Sequence, residues 1–315
     1  MTRRSVPIRM LGLAVVAAAL APVHAQEVDF SFGWKPGFKV RVDHKALSEE
    51  RGKSKQSAVK YVLSLDEAGE NFAVKFVNPT IGGPKLAPNA GVQAFQEQIS
   101  AAAFPELRVT KAGEYLGLAD PAAQATRVLT LLQKIAAERV PGPGRIGVNN
   151  ALVMFASPDY LAMKAEELWN PIVGFWSEAH LSVGERREFE SHVPIPTLPG
   201  VVVKQKGYIT LVETHTCLRN GAERTCAGIQ LHSETDSDDA ARVLNEVMER
   251  ASRSRTALPK IDRFTSISEL VVVTEPDGLF PHEYSLRREV QLTMTTNGKP
   301  DEGRRVETHE VRYTY

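Results

Sequence analysis

The chain has 315 residues with 38 basic and 38 acidic side chains, 43% apolar and 24% charged residues. The even charge balance excludes a nucleic-acid binder, which needs a strong basic excess, and the apolar content excludes wholesale disorder. The length suits one large domain or two small ones.

Met1 to Ala25 reads as a secretory signal. Arg3, Arg4 and Arg9 form a positive start, Met10 to Leu20 is apolar, Pro22 breaks the run, and Val23 and Ala25 supply small residues before a cut. The apolar run is about half the ~20 residues needed to span a bilayer, so a cleaved leader is expected rather than an anchor. No cysteine near the cut offers a lipid attachment site. The residues after Arg3-Arg4 do not fit twin-arginine export, so ordinary unfolded export is expected. The mature protein is then expected in the periplasm or outside, slightly acidic, with no later membrane span.

Phe30 to Asp43 opens the mature fold, with a turn at Trp34-Lys35-Pro36-Gly37 and alternating Phe38, Val40 and Val42. Strands are predicted over Ser57 to Leu65 and Asn71 to Val77, then a Pro/Gly-rich loop from Asn78 to Asn89. A helix is predicted over Val92 to Ala103 and paired strands over Leu107 to Leu118. Asp120 should cap a helix that begins at Pro121 and runs to about Val140, with Val128, Leu132 and Ile135 on one face. A second helix should follow Ser157-Pro158 and be kinked or divided at Asn170-Pro171. Strands are predicted over Arg186 to Val193, Val201 to Cys217 and Thr225 to Ser233. A helix capped by Asp236 or Ser237 follows, then strands over Thr265 to Glu275, Leu279 to Thr296 and Arg305 to Tyr315.

These elements indicate an α+β fold of curved antiparallel sheet packed with helices. The expected organisation is a leader over 1–25, a sheet-plus-helix module over 26–118, a helical insert over 119–180 and a second module over 181–315. A faint repeat connects the two modules: each has an opening turn, strands, a helix and a strand pair. The Trp34-x-x-Gly37 opening, the Gly184-Glu185-Arg186 strand and the Asp277-Gly278-Leu279-Phe280-Pro281 turn before a long strand resemble a group of uncharacterised exported bacterial proteins. That resemblance implies curved antiparallel sheets with helices on one face and assigns no chemistry. The predicted shape also resembles the open half-barrels of periplasmic lipoprotein carriers.

Cys217 and Cys226 are the two cysteines. A four-residue loop over Asn220 to Glu223 would place them directly opposite each other in a hairpin, within disulfide reach. An oxidising compartment would let the bond form. A metal site using His215 or His232 is the rival reading, but the spacing matches no common zinc pattern.

No catalytic, metal or nucleotide motif stands up to its context. Gly142-Pro143-Gly144-Arg145-Ile146-Gly147 has dinucleotide spacing, but a helix precedes it and Pro143 lacks an N–H, so it reads as a helix-stopping loop. Glu234, Asp236, Asp238 and Asp239 lack the alternation of a calcium loop and read as helix-capping acids. Glu213 and His215 share a strand face and could form an acid–base pair, though cross-strand polar pairs are commoner. Trp169, Ile172, Phe175 and Trp176 form the most unusual stretch. They read as core or as the wall of an apolar groove. The expectation is a non-enzymatic protein without a cofactor that binds an apolar or lipid-like ligand. The alternatives are an envelope protein that holds another protein, and a hydrolase with a site assembled from distant residues.

Overall fold

The computed structural model describes residues 26–82, 102, 104–139, 153, 155–195, 201–251 and 259–315. The leader, the helix predicted over 92–103 (except Ala102, which is helical) and the glycine-rich loop over 142–147 lie outside the described residues.

The first strands are β1 (Glu27–Asp29), β2 (Ser31–Phe32), β3 (Lys39–Glu50), β4 (Lys53–Ala68), β5 (Asn71–Gly82), β6 (Leu107–Val109) and β7 (Tyr115–Leu118). Helices α1 (Pro121–Arg139) and α2 (Pro158–Trp169) follow, the second continued by a π-helical turn over Asn170–Gly174. The remainder is β8 (His180–Ser182), β9 (Arg186–Pro194), β10 (Val202–Arg219), β11 (Ala222–Thr235), α3 (Ser237–Ala251), β12 (Lys260–Glu275), β13 (Asp277–Gly278), β14 (Phe280–Thr296) and β15 (Lys299–Thr314).

One antiparallel sheet of eleven strands carries the fold, in the order β7-β6-β5-β4-β3-β15-β14-β12-β11-β10-β9. The sheet is curved but not closed into a barrel. The first long strand pairs with the last, β3 with β15, in the middle of the sheet. Short pairings of β1 with β8 and of β2 with β13 tie the N-terminal segment to the later chain.

Period-two alternation selects the core face. Tyr61, Val42 and Tyr313 lie side by side across β4, β3 and β15, and all are buried. Val272 and Ile229 extend this face through β12 and β11. Trp34, Trp169 and Trp176 complete the same core. The Trp34 ring stacks on Phe38 with centroids 4.3 Å apart and meets the edge of Trp169 at 5.4 Å.

Local signals explain the ends of the elements. Asp120 Oδ1 accepts from the Ala123 N–H at 2.9 Å, and Ser157 Oγ accepts from the Tyr160 N–H, each just before a proline that starts a helix. Asn170-Pro171 does not end the second helix but widens it into the π turn, because Pro171 supplies no N–H for the regular ladder. One predicted loop is partly strand: β5 continues through Asn78 and Pro79 to Gly82. Pro79 falls in a bulge there, since Val77 pairs with Val62 and Thr80 with Lys60, so Asn78 and Pro79 stand opposite Tyr61 alone and no ladder donor is needed.

Candidate functional site

The disulfide joins Cys217 of β10 to Cys226 of β11, with Cα atoms 5.8 Å apart. Its register differs from the expected one. Arg219 pairs with Ala222, so the turn has two residues, Asn220 and Gly221, and Cys217 faces Arg224 while Cys226 faces His215. The bond is therefore diagonal. Asn220 and Gly221 have φ of 52° and 76°, the left-handed pair that a tight hairpin demands.

The histidine beside the sulfurs is His282, not His215 or His232. β14 has one residue more than β12 where Val273 pairs with Glu283 and Thr274 with Pro281. His282 is that bulged residue, and the bulge re-aims its ring. His282 Nε2 lies 3.5 Å from Cys217 Sγ and 3.0 Å from Glu275 Oε1. Arg219 reaches the same carboxylate oxygen at 3.0 Å and lies flat over Phe280, 3.7 Å from the ring centre.

The aromatic stretch divides between core and surface. Trp169, Ile172 and Trp176 are packed in the core. The Trp169 Nε1–H donates to Gly113 O at 2.7 Å and the Trp176 Nε1–H to Pro171 O at 2.9 Å. These bonds satisfy both indoles inside the protein, so neither needs a ligand. Phe175 turns the other way, 44% exposed, on the edge of Trp176.

An apolar cleft of about 340 Å³ lies instead between α1 and α2. Val128, Leu131 and Leu132 of α1 face Leu161, Ala165 and Leu168 of α2, each set at helical spacing, with Phe155 completing the wall. Its polar members are Gln124, Tyr160 and Lys164. The Gln124 amide donates to Ala102 O at 2.6 Å and accepts from Arg127. Lys164 pairs with Glu167 at 2.8 Å and reaches over the Tyr160 ring.

The remaining candidates are ordinary surface chemistry. Asp236 Oδ1 accepts from the N–H groups of Asp238 and Asp239, and Asp239 accepts from the Lys204 N–H and pairs with Arg242. Those bonds hold the Asp239 carboxyl below the usual range, led by the Lys204 N–H. Glu213 and His215 are 3.9 Å apart on an open strand face. His232 stacks on Tyr208. Under α2, Tyr61, Tyr284 and Tyr313 gather on the core face, and burial raises all three phenols. No protein-family model matches this chain, and no curated protein matches it.

Proposed function

We propose that this is a non-enzymatic protein of the bacterial envelope, exported by the Met1–Ala25 leader, that binds an apolar or lipid-like ligand in the cleft between α1 and α2. The cleft carries the reading. Its volume of about 340 Å³ is at the low end for ligand sites, which suits a single acyl-type chain, and its wall of leucines with a few polar groups is the usual make-up of such a site. Lys164 at the wall, now paired with Glu167, would turn its positive charge to an anionic end by exchanging that partner. The disulfide agrees with an oxidising compartment. Among the described residues no helix is long and apolar enough to cross a membrane. The ligand site of this proposal is the helical cleft and not the aromatic stretch, whose indoles are already satisfied.

Native mass spectrometry of the chain after Ala25, purified from a periplasm, followed by lipid extraction, tests it. A discrete added mass that extracts as lipid, and that is lost in Ala165→Phe while the fold is retained, supports the reading. A clean apo mass, or a lipid mass unchanged in Ala165→Phe, rejects the cleft as its site. Holding another protein by a sheet edge is the weaker reading. The outermost strand β9 carries Arg186, Arg187, Glu188 and Glu190, the charged make-up that discourages edge pairing.

A further inference from the structure

We propose that the Cys217–Cys226 bond is the closed form of a redox-controlled zinc site whose other two ligands are His282 and Glu275. Cys217 from β10, Cys226 from β11 and His282 from the bulge of β14 come together at one point, and Glu275 of β12 lies against His282, outside the reach of both sulfurs at once, and would join by side-chain rotation. The two sulfurs and an imidazole nitrogen all lie within 4.8 Å of one another.

The spacings are those of a tetrahedral centre. Zinc bonds of about 2.3 Å to sulfur and about 2.0–2.1 Å to nitrogen put a sulfur and a nitrogen ligand about 3.5 Å apart. Cys217 Sγ and His282 Nε2 are 3.5 Å apart. The same arithmetic puts a nitrogen and a carboxylate oxygen about 3.3 Å apart, and His282 Nε2 and Glu275 Oε1 are at 3.0 Å. Two thiolates on one zinc sit about 3.7 Å apart, which side-chain rotation reaches from Cα atoms 5.8 Å apart. Glu275 and His282 keep only 4% and 15% of their side chains exposed, so the centre is sheltered. Two thiolates and a carboxylate leave one negative charge over Zn²⁺, and Arg219, 3.0 Å from Glu275, balances it.

The chemistry closes in two steps. A dithiol reductant gives two electrons to the Cys217–Cys226 bond. That bond breaks, the reductant's own sulfurs join, and its two protons pass to the cysteines. Zn²⁺ then displaces those protons to solvent and takes both thiolates, with no further electron transfer. A disulfide oxidant reverses the sequence: it takes two electrons from the thiolates and two protons from solvent and leaves as a dithiol, the Cys217–Cys226 bond re-forms, and Zn²⁺ is released. The pair thus reads the local thiol balance and converts it into gain or loss of a cation.

The test uses the whole chain after Ala25, reduced with a dithiol, freed of it under nitrogen and titrated with Zn²⁺ alone. Native mass spectrometry should find one zinc per reduced chain and none on the oxidised chain. Co²⁺ in its place should give thiolate-to-cobalt charge transfer and tetrahedral d–d absorption. His282→Ala, which leaves the disulfide intact, should weaken zinc binding at least roughly tenfold, Glu275→Gln should weaken it less, and His215→Ala should not change it. A reduced chain that takes up no zinc overturns the proposal. So does uptake that is equal in the parent and in His282→Ala, which is also the result if reduction unfolds the hairpin and bare thiols bind the metal.

Discussion

His44 Nε2 and His309 Nδ1 meet at 3.0 Å across the seam where β3 lies against β15. The two rings come from opposite ends of the chain and share the sheet face that carries Val311 and Tyr284. Burial, and then the His309 ring, hold the His44 imidazole down at about 4, against an ordinary 6.5. Burial also lowers His309, with Glu307 and Glu167 opposing it and Arg288 and Lys164 acting in the same direction.

The native state thus keeps His44 neutral at a pH where the unfolded chain protonates it. Its contribution to stability is whole above about pH 6.5 and is lost as the pH falls to about 4. The loss from this ring should be about 2 kcal/mol, discounted for its partial exposure. Urea unfolding at pH 7 and at pH 4.5 should show the drop in the parent and a smaller one in His44→Gln. An equal drop in both would locate the acid sensitivity elsewhere.

The Trp169 contact with Gly113 is expected to be among the costliest to break. Trp169→Ala removes a fully buried indole and strands the Gly113 carbonyl, a loss of about 3–5 kcal/mol. Gly113→Ala should be nearly as severe from the other side, at about 3 kcal/mol. Its φ is +89°, and an added Cβ would stand 2.7 Å from Phe32 and 2.8 Å from Val173. Denaturant midpoints of the two variants measure both, and a change under 1 kcal/mol in either would mean this junction is soft.

Tyr313 should behave in the opposite way. Its hydroxyl is buried among Tyr61, Tyr284 and Tyr315 and has no hydrogen-bond partner among the described residues. Tyr313→Phe removes a desolvated oxygen and no bond, so it should be neutral or stabilising by about 1 kcal/mol. A thermal melt that falls instead would show that the hydroxyl is bonded in solution.

Closing the short loop between Cys217 and Cys226 should contribute about 2–3 kcal/mol. Cys217→Ala with Cys226→Ala should lower the unfolding free energy by that amount, read as a lower denaturant midpoint. Adding a reductant should then move the parent and leave the double variant where it is.

Elements with a local signature were legible in the sequence. Asp120-Pro121 and Ser157-Pro158 mark two helix starts because cap and proline act within one turn of chain. The cysteine partners were legible too, but their register was not. Asn-Gly fits a four-residue loop as well as a two-residue one, and the choice is made by how β10 and β11 pair along their whole length. His282 could not be found from the sequence, because nothing local marks the extra residue in β14 and only its pairing with β12 reveals the bulge. The aromatic stretch was legible as apolar but not in its role, for a related reason. Hydrophobicity says that Trp169 and Trp176 want cover and leaves open whether a ligand or the sheet provides it. The α1–α2 cleft was half visible, since the Val128 and Leu132 face was legible on α1, but its opposite wall belongs to a helix whose orientation is a tertiary fact.

The β3–β15 seam sets the timetable of the molecule. A growing chain that has passed its first meander holds β3 with one flank unclaimed, and the strand that will claim it, β15, is made only after β4 to β14. The two halves can each begin to order, but they cannot be joined until Lys299–Thr314 has been made. Contacts of such long sequence separation form slowly, and an uncovered strand is sticky meanwhile. A chain cut short before Lys299 would therefore be more than a protein lacking one strand: it would be two part-sheets with a gap where their common middle should be. Lys299–Thr314 acts as the keystone, and its arrival joins the two part-sheets.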